Sequence, residues 1–322
     1  MKYWLFIWLI PVGLFAQPSE KQAYLAIQQI RRFDLDPSTL KSPLLVRLFD
    51  HDSMLTLTFN PPTKVSSELT DSTVFSLEGL SEIFIAEHVQ QNILNGIIHW
   101  SDTIINLKTT QGNIHGLTVE HLYHHRSGLP RIFAIEPNLK NVTTNDFWQI
   151  LAVQKLHNPG QWNYSTLDYL VLQHYINMKT KTTWDQNYTE PYLMTINTLS
   201  SPHVLPELNS SNSRIDSNSL FSTMHLLSDY LIKKINYPSP LEPSVCVGPK
   251  GLTFAHGWYI HQLRGQRKAY THAGHTTKHK VFLGFAPHSK TGVIMLTTDP
   301  VGTKDLGWLI LRWLNQQWRR TK

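Results

Sequence analysis

Val74-Phe75-Ser76-Leu77-Glu78-Gly79-Leu80-Ser81-Glu82-Ile83-Phe84-Ile85-Ala86, running on to Asn95-Gly96, is the stretch on which the reading of this chain turns. Apolar residues at Leu80, Ile83, Phe84, Val89, Ile93 and Leu94 recur at three- and four-residue intervals, the pattern of a buried amphipathic helix. Asn95 and Gly96 both tolerate the left-handed conformation that closes helices. Glu78 and Glu82 stand one turn apart near the start, where carboxylates suit the positive end of the helix dipole.

Upstream, Met1 to about Gln17 has the build of a targeting segment: Lys2 supplies a positive start, Trp4 to Phe15 an apolar run, and Ala16 the residue before the cut. The run is shorter than the roughly 20 apolar residues that cross a bilayer. No cysteine follows it, so lipid attachment there is excluded. The expectation is export to a bacterial periplasm or beyond, with no stable transmembrane span once the signal is removed. The remaining length is enough for a substantial core. Cys246 is the only cysteine, so packing rather than an internal disulfide must hold the fold, and Cys246 itself is expected as a small buried residue. The net charge of +6 is spread along the chain. It favours anionic envelope polymers mildly, and without a dense basic patch interleaved with aromatics it excludes nucleic acid as a partner.

Glu20 to Arg32 carries a helical pattern, with Tyr24, Leu25, Ile27, Ile30 and Phe33 on one side. Ser53 to Phe59 alternates polar and apolar residues, the mark of a half-buried strand, and Asn60-Pro61-Pro62 ends it. His121, His124 and His125 invite a metal reading, but no further ligand type lies near them in sequence, so no metal and no cofactor is expected. Lys179 to Ser217 is polar and aperiodic and reads as loops over a cleft. Pro238 to Pro249 reads as a crossing back to a sheet, Phe254 to Tyr259 as a strand, and Thr303 to Trp318 as a helix with Leu306, Leu309, Ile310, Trp313 and Leu314 facing the core.

The central stretch resembles the nucleophile helix of the serine β-lactamase and penicillin-binding-protein superfamily, class C β-lactamase and esterase branch. There the helix opens with Phe, a small residue and Ser-x-x-Lys; here Phe75, Phe84 and Ala86 keep the frame, while Gly79 occupies the serine position and Glu82 the lysine position. Leu117 to Pro130 resembles the branch's "Leu-Thr-x-x-x-Leu-Leu-x-His-x-Ser-Gly-Leu-Pro", with Thr118 as the cap of a short helix. Asn158 to Tyr169 resembles "Pro-Gly-x-x-Phe-x-Tyr-Ser-Asn", with Tyr164 kept and Thr166 in place of the asparagine. Ser219 to Tyr230 resembles a helix start capped by Ser222 or Thr223, and Tyr270 to His275 sits where the branch has Lys-Thr-Gly or His-x-Gly. Ser38-Thr39-Leu40-Lys41 and Lys290-Thr291-Gly292 match family motifs by letter only: prolines crowd the first, and the second lies in a turn before the final strand.

The resemblance implies a β-lactamase-like α/β (α+β) fold, an antiparallel sheet flanked by helices with an inserted, mainly helical region. The implied division is 1–17 signal peptide, 18–75 with 245–322 as the sheet domain, and 76–244 as the helical region. It also implies a cleft lined by Gly79, Glu82, Tyr164, Thr166 and His272, where Gly274 lets a ligand approach the strand and the His275 N–H serves as an oxyanion donor. A glycine offers no nucleophile, and Glu82 puts a carboxylate where the family has a cation, so the covalent mechanism is expected to be lost. What remains is a pseudoenzyme binding an envelope peptide, glycan or protein ligand. The competing expectation is a hydrolase whose Glu82, His272 and Tyr164 act on a bound water. Glu82 itself is expected either to work with His272 or to be neutralised by Lys278, Lys280 or Arg126.

Overall fold

The computed structural model describes residues 40–51, 53–61, 69–131, 144–181, 192–193, 220–238, 245–247, 251–275, 279–298 and 303–317. The targeting segment, the Glu20–Arg32 helix, nearly all of the polar stretch after Thr180, most of the proline-rich crossing and Lys278 lie outside them.

Both ends of the described chain meet in one sheet. β1 (Leu44–Asp50) and β2 (Ser53–Phe59) form a hairpin, and β1 pairs on its other side with β13 (Thr291–Thr297). The sheet continues through β12 (Lys280–Ala286), β11 (Lys268–His275), β10 (Trp258–Gln262), β9 (Thr253–Ala255) and β8 (Val245–Cys246). All seven of its pairings are antiparallel. Edge strand β2 alternates as its sequence predicts, Leu55, Leu57 and Phe59 buried between half-buried polar residues. Phe254 to Tyr259 is two strands rather than one: His256 and Gly257, both at positive φ, turn the chain between β9 and β10.

Strand β1 is buried along most of its length because helices cover both sheet faces. Leu44, Val46 and Leu48 pack with Leu306, Ile310, Leu311, Trp313 and Leu314 of α6 (Thr303–Gln317). Leu45 and Phe49 face the opposite way, into a core shared with α1 (Ser81–Leu94) and α5 (Met224–Asn236). Arg47, on that second face, is 1% exposed. It donates to Thr56 Oγ1 at 2.9 Å, to Ser228 Oγ of α5 at 2.9 Å and to Asp71 Oδ2 at 2.5 Å. These bonds pin the sheet to α5.

The middle of the chain builds a second core. A small sheet in the order β5 (Ile114–Thr118), β4 (Thr103–Thr109), β6 (Lys155–Leu156) packs with α2 (Val119–Tyr123), α3 (Thr144–Ala152), α4 (Thr166–Thr180) and the outer side of α1. β3 (Phe75–Ser76) pairs with β7 (Phe221–Ser222). Helix α1 therefore starts later than its apolar spacing suggests. Phe75 and Ser76 are spent in a strand pair and Glu78–Leu80 in a 3-10 turn, so the α-helix begins at Ser81. Gly96, at φ 70°, makes the left-handed exit, while Asn95 stays right-handed and Leu94 is exposed. Thr118 caps α2 and Thr223 caps α5 through their hydroxyls.

Removing Arg47 leaves the Asp71 carboxylate beside a buried hole. We expect Arg47→Ala to lose about 3 kcal/mol of stability in urea unfolding, with Arg47→Met plus Asp71→Asn recovering most of it.

Candidate active site

The 3-10 turn at Glu78–Leu80 lies directly against β11. A Cβ added at Gly274 would come within 1.9 Å of the Leu77 carbonyl oxygen, so the glycine serves the contact between turn and strand. That replaces the expected role of admitting a ligand at this point. At Gly79 a Cβ would meet the Ala273 carbonyl at 3.3 Å and Tyr164 Oη at 3.5 Å. Gly79 is half-buried, and a side chain there would face the Tyr164 hydroxyl.

Glu82, in the first turn of α1, is 3% exposed. Tyr164 donates its hydroxyl to Glu82 Oε1 at 2.8 Å. Tyr164 is set in place by its neighbour Ser165, which caps α4 by accepting from Leu167 N at 3.2 Å and donates to the Pro130 carbonyl at 2.7 Å. Glu82 Oε2 is buried with no hydrogen-bond partner. Two imidazole nitrogens face it: His125 Nε2 at 3.5 Å and His272 Nε2 at 3.6 Å. His272 donates from Nδ1 to the Gly257 carbonyl. His125 bonds through Nδ1 to Asp168 Oδ2 at 2.9 Å, and Ser127 donates to Asp168 Oδ1 at 2.5 Å. The Glu82 neighbours are thus two histidines and a tyrosine. Arg126, one of the expected counter-charges, donates instead to the Gly160 carbonyl.

The electrostatics follow from burial and these contacts. Burial works against a charge on His125, but the hydrogen bond to Asp168 and the nearby Glu82 charge outweigh it and raise its pKa to about 9. Burial raises Asp168 to about 6, against the pull of His125 and Ser127. Near neutral pH the two are an ion pair. Burial lowers His272. Burial, then the Glu82 charge and hydrogen bond, push Tyr164 far above the usual phenol range, so it is a fixed donor and not a base.

The other expected residues fall around this centre. Thr166 is exposed and donates to the Arg131 carbonyl at 2.6 Å, and His275 is exposed at the end of β11. Ser76 donates to Glu78 and Ser81 accepts from Leu220 N, and both are buried, so neither hydroxyl is presented as a substitute nucleophile. His121 and His124 bond locally through Nδ1, to Thr118 and to the Glu120 carbonyl, and do not join His125. Among the described residues no cluster of three or more His, Cys, Asp or Glu is arranged to hold a metal ion.

No protein-family model and no curated protein matches the chain. Solved structures do. An octameric penicillin-binding protein homologue from Pyrococcus abyssi aligns over 92% of this chain and 77% of its own at 15% identity, with a TM-score of 0.72. A β-lactamase/D-alanine carboxypeptidase from Yersinia pestis, complexed with citrate, aligns over 92% and 99% at 14% identity and a TM-score of 0.70. A class C β-lactamase aligns over 91% and 95% at 12% identity and 0.67. This is the serine β-lactamase and penicillin-binding-protein fold. At such identities the likeness establishes the fold and not the chemistry. Within the β-lactamase-like frame, the sequence pattern missed His125 as a neighbour of Glu82, and Asp168 and Ser127 as the groups behind His125. Asp168 lies 43 residues beyond His125, and only the motif histidine ahead of Ser-Gly-Leu-Pro marked the place.

His125 gives a pH test. Its folded pKa stands above the usual value near 6.5, so its stabilisation is complete below about pH 6.5 and is lost as pH rises through about 9. We expect unfolding free energy to fall by about 2 kcal/mol between pH 7 and 10. His125→Gln should be less stable at pH 7 and should lack that slope when urea midpoints are compared across pH.

Proposed function

We propose that this chain is an exported, β-lactamase-like pseudoenzyme that binds a cell-envelope peptide, glycan or protein ligand in the former active-site cleft without forming an acyl-enzyme. The observation that carries the reading is the Tyr164–Glu82 hydrogen bond beside Gly79. Acyl transfer on this fold requires a hydroxyl and a neighbouring group able to take its proton. Gly79 supplies no hydroxyl, and the hydroxyl that a Cβ there would meet belongs to a tyrosine that is already donating to a carboxylate. Loss of such a unit removes several orders of magnitude in rate. The targeting pattern at Lys2 to Ala16 supports export.

Water-based hydrolysis by Glu82, His272 and Tyr164 is the competing reading, supported by the 3.6 Å approach of His272 to Glu82. It is the weaker one. Glu82 Oε2 and His272 are buried, whereas a general base must reach a water and a substrate together.

Intact mass after incubation with a reactive β-lactam separates these readings from a serine enzyme. We expect an unmodified mass and no turnover of the β-lactam. A stoichiometric adduct mapped to the cleft would overturn the proposal, and turnover without an adduct would favour the hydrolase.

A further inference from the structure

Helices α1, α4 and α5 run side by side in one direction. Their starts meet at the site: Tyr164, just ahead of α4, donates to Glu82, and Leu220, ahead of α5, donates its N–H to Ser81 Oγ at 3.3 Å. Further along, Tyr230 of α5 donates to Glu87 Oε1 at 2.5 Å. Tyr175 of α4 donates to Asp102 Oδ2 at 3.1 Å, just past the turn that ends α1. The three helices have 14, 15 and 13 residues, so their C-termini reach the same end of the molecule, away from Glu82.

That end is both apolar and cationic. Among the described residues six large apolar side chains are exposed, and four of them, Leu94, Ile97, Met178 and Tyr237, stand in or just after the last turns of these helices. Leu94, which its spacing assigns to the core, is 78% exposed, and Tyr237 is 79% exposed. Single apolar residues are ordinary on a surface, but four at the ends of three packed helices form a shared face. Lys179, Lys181 and Lys233 are exposed beside them, and Lys234 is partly exposed. Lysines suit helix C-termini because they offset the dipole, yet the dipole does not account for the apolar residues. The carboxylates on this side are engaged, Glu87 by Tyr230 and Lys234 and Asp102 by Tyr175 and the His99 N–H, so the face is positive.

We propose that this end docks on an anionic lipid surface, with Leu94, Ile97, Met178 and Tyr237 entering at headgroup depth and the lysines against the lipid phosphates. The two characters together choose the partner. A hydrated anionic polymer would use the lysines and leave the apolar side chains in water. A second copy meeting this face symmetrically would cover the apolar residues but set lysines against lysines. An anionic bilayer takes both, apolar area into the boundary layer and positive charge at its surface. Tyrosine, apolar in body and polar at its tip, suits that boundary. Glu82 and Tyr164 lie at the opposite ends of the same helices, so docking leaves them uncovered.

Hydrogen exchange of the full-length protein with vesicles reads the contact locally, which separates it from lipid binding by the apolar run at Trp4 to Phe15. One set of vesicles mixes phosphatidylglycerol with phosphatidylcholine, and the other is phosphatidylcholine alone. Slower exchange in peptides covering 91–100, 175–181 and 233–238 is expected with the anionic vesicles only, and high salt should reverse it. Lys179→Glu, Lys181→Glu and Lys233→Glu combined should raise the lipid concentration for half protection about tenfold or more. Leu94→Ser with Met178→Ser should raise it about tenfold, and Ile114→Ser, an exposed apolar residue on the small sheet, should leave it unchanged. Circular dichroism of each variant shows that it is folded. No protection at these helix ends, whether or not the protein sediments with the vesicles, would overturn the proposal, as would equal protection by neutral vesicles. An equal loss from Ile114→Ser would place the contact elsewhere. Protection that appears without lipid as protein concentration rises would assign the face to a second copy instead.

Discussion

The hydrogen bond from Tyr164 to Glu82 is the constraint around which the centre of this molecule is arranged. A carboxylate at a buried position near the start of α1 cannot stand without donors or a counter-charge. Three side chains approach it: Tyr164 donates to Oε1, while His125 and His272 stand 3.5 Å and 3.6 Å from Oε2. Tyr164 comes from the lead-in to α4, His125 from the corner after α2, and His272 from β11. Each is held by its own bond to a carbonyl or carboxylate, so the approach of the three rings is fixed.

This junction also joins two apolar cores. One, between the main sheet, α1 and α5, contains Ile83, Phe84 and Trp258. The other, around α2 and α4, contains Ile85, Ala86 and Val89 from the far side of α1. Apolar packing alone would allow small sliding between two such bodies. The polar chain from Ser127 through Asp168 and His125 to Glu82 and Tyr164 sets the register where they meet, because a shift would break the buried bonds Ser127–Asp168, Asp168–His125 and Tyr164–Glu82. His125 takes a left-handed backbone, φ 51°, to turn its ring inward, and that local cost is offset by the ion pair with Asp168.

Much of the frame was legible in the sequence because periodicity and ordered landmarks are local or nearly so. The alternation at Ser53–Phe59, the cap at Thr118 and the terminal helix all sit where the pattern puts them. Boundaries failed where a distant partner claimed the backbone. Phe75 and Ser76 have apolar and small side chains that suit a helix, yet they pair with Ser222 and Phe221, far along the chain. Phe254 to Tyr259 looks continuous until His256 and Gly257 adopt positive φ and fold it into a hairpin. Within the site, Gly79, Glu82, Tyr164 and His272 do converge. The ion pair that holds them was hidden, since nothing in the spacing of His125 and Asp168 announces a contact between them.

Gly79, in the 3-10 turn, and Glu82, in the first turn of α1, are chemically coupled. A serine at Gly79 would place its oxygen near the Tyr164 hydroxyl, whose proton is directed to Glu82. Its hydroxyl would find no base, because the phenol is held neutral by burial and by the same carboxylate. A lysine at Glu82 would face His125, a cation sustained by Asp168, across a distance suited to an opposite charge. A serine at Gly79 or a lysine at Glu82 would therefore each lack the neighbour it needs, a base for the first and an opposite charge for the second. The Tyr164 proton is committed to the Glu82 carboxylate, so the group beside Gly79 acts as a donor rather than a base, and the two residues fit one another.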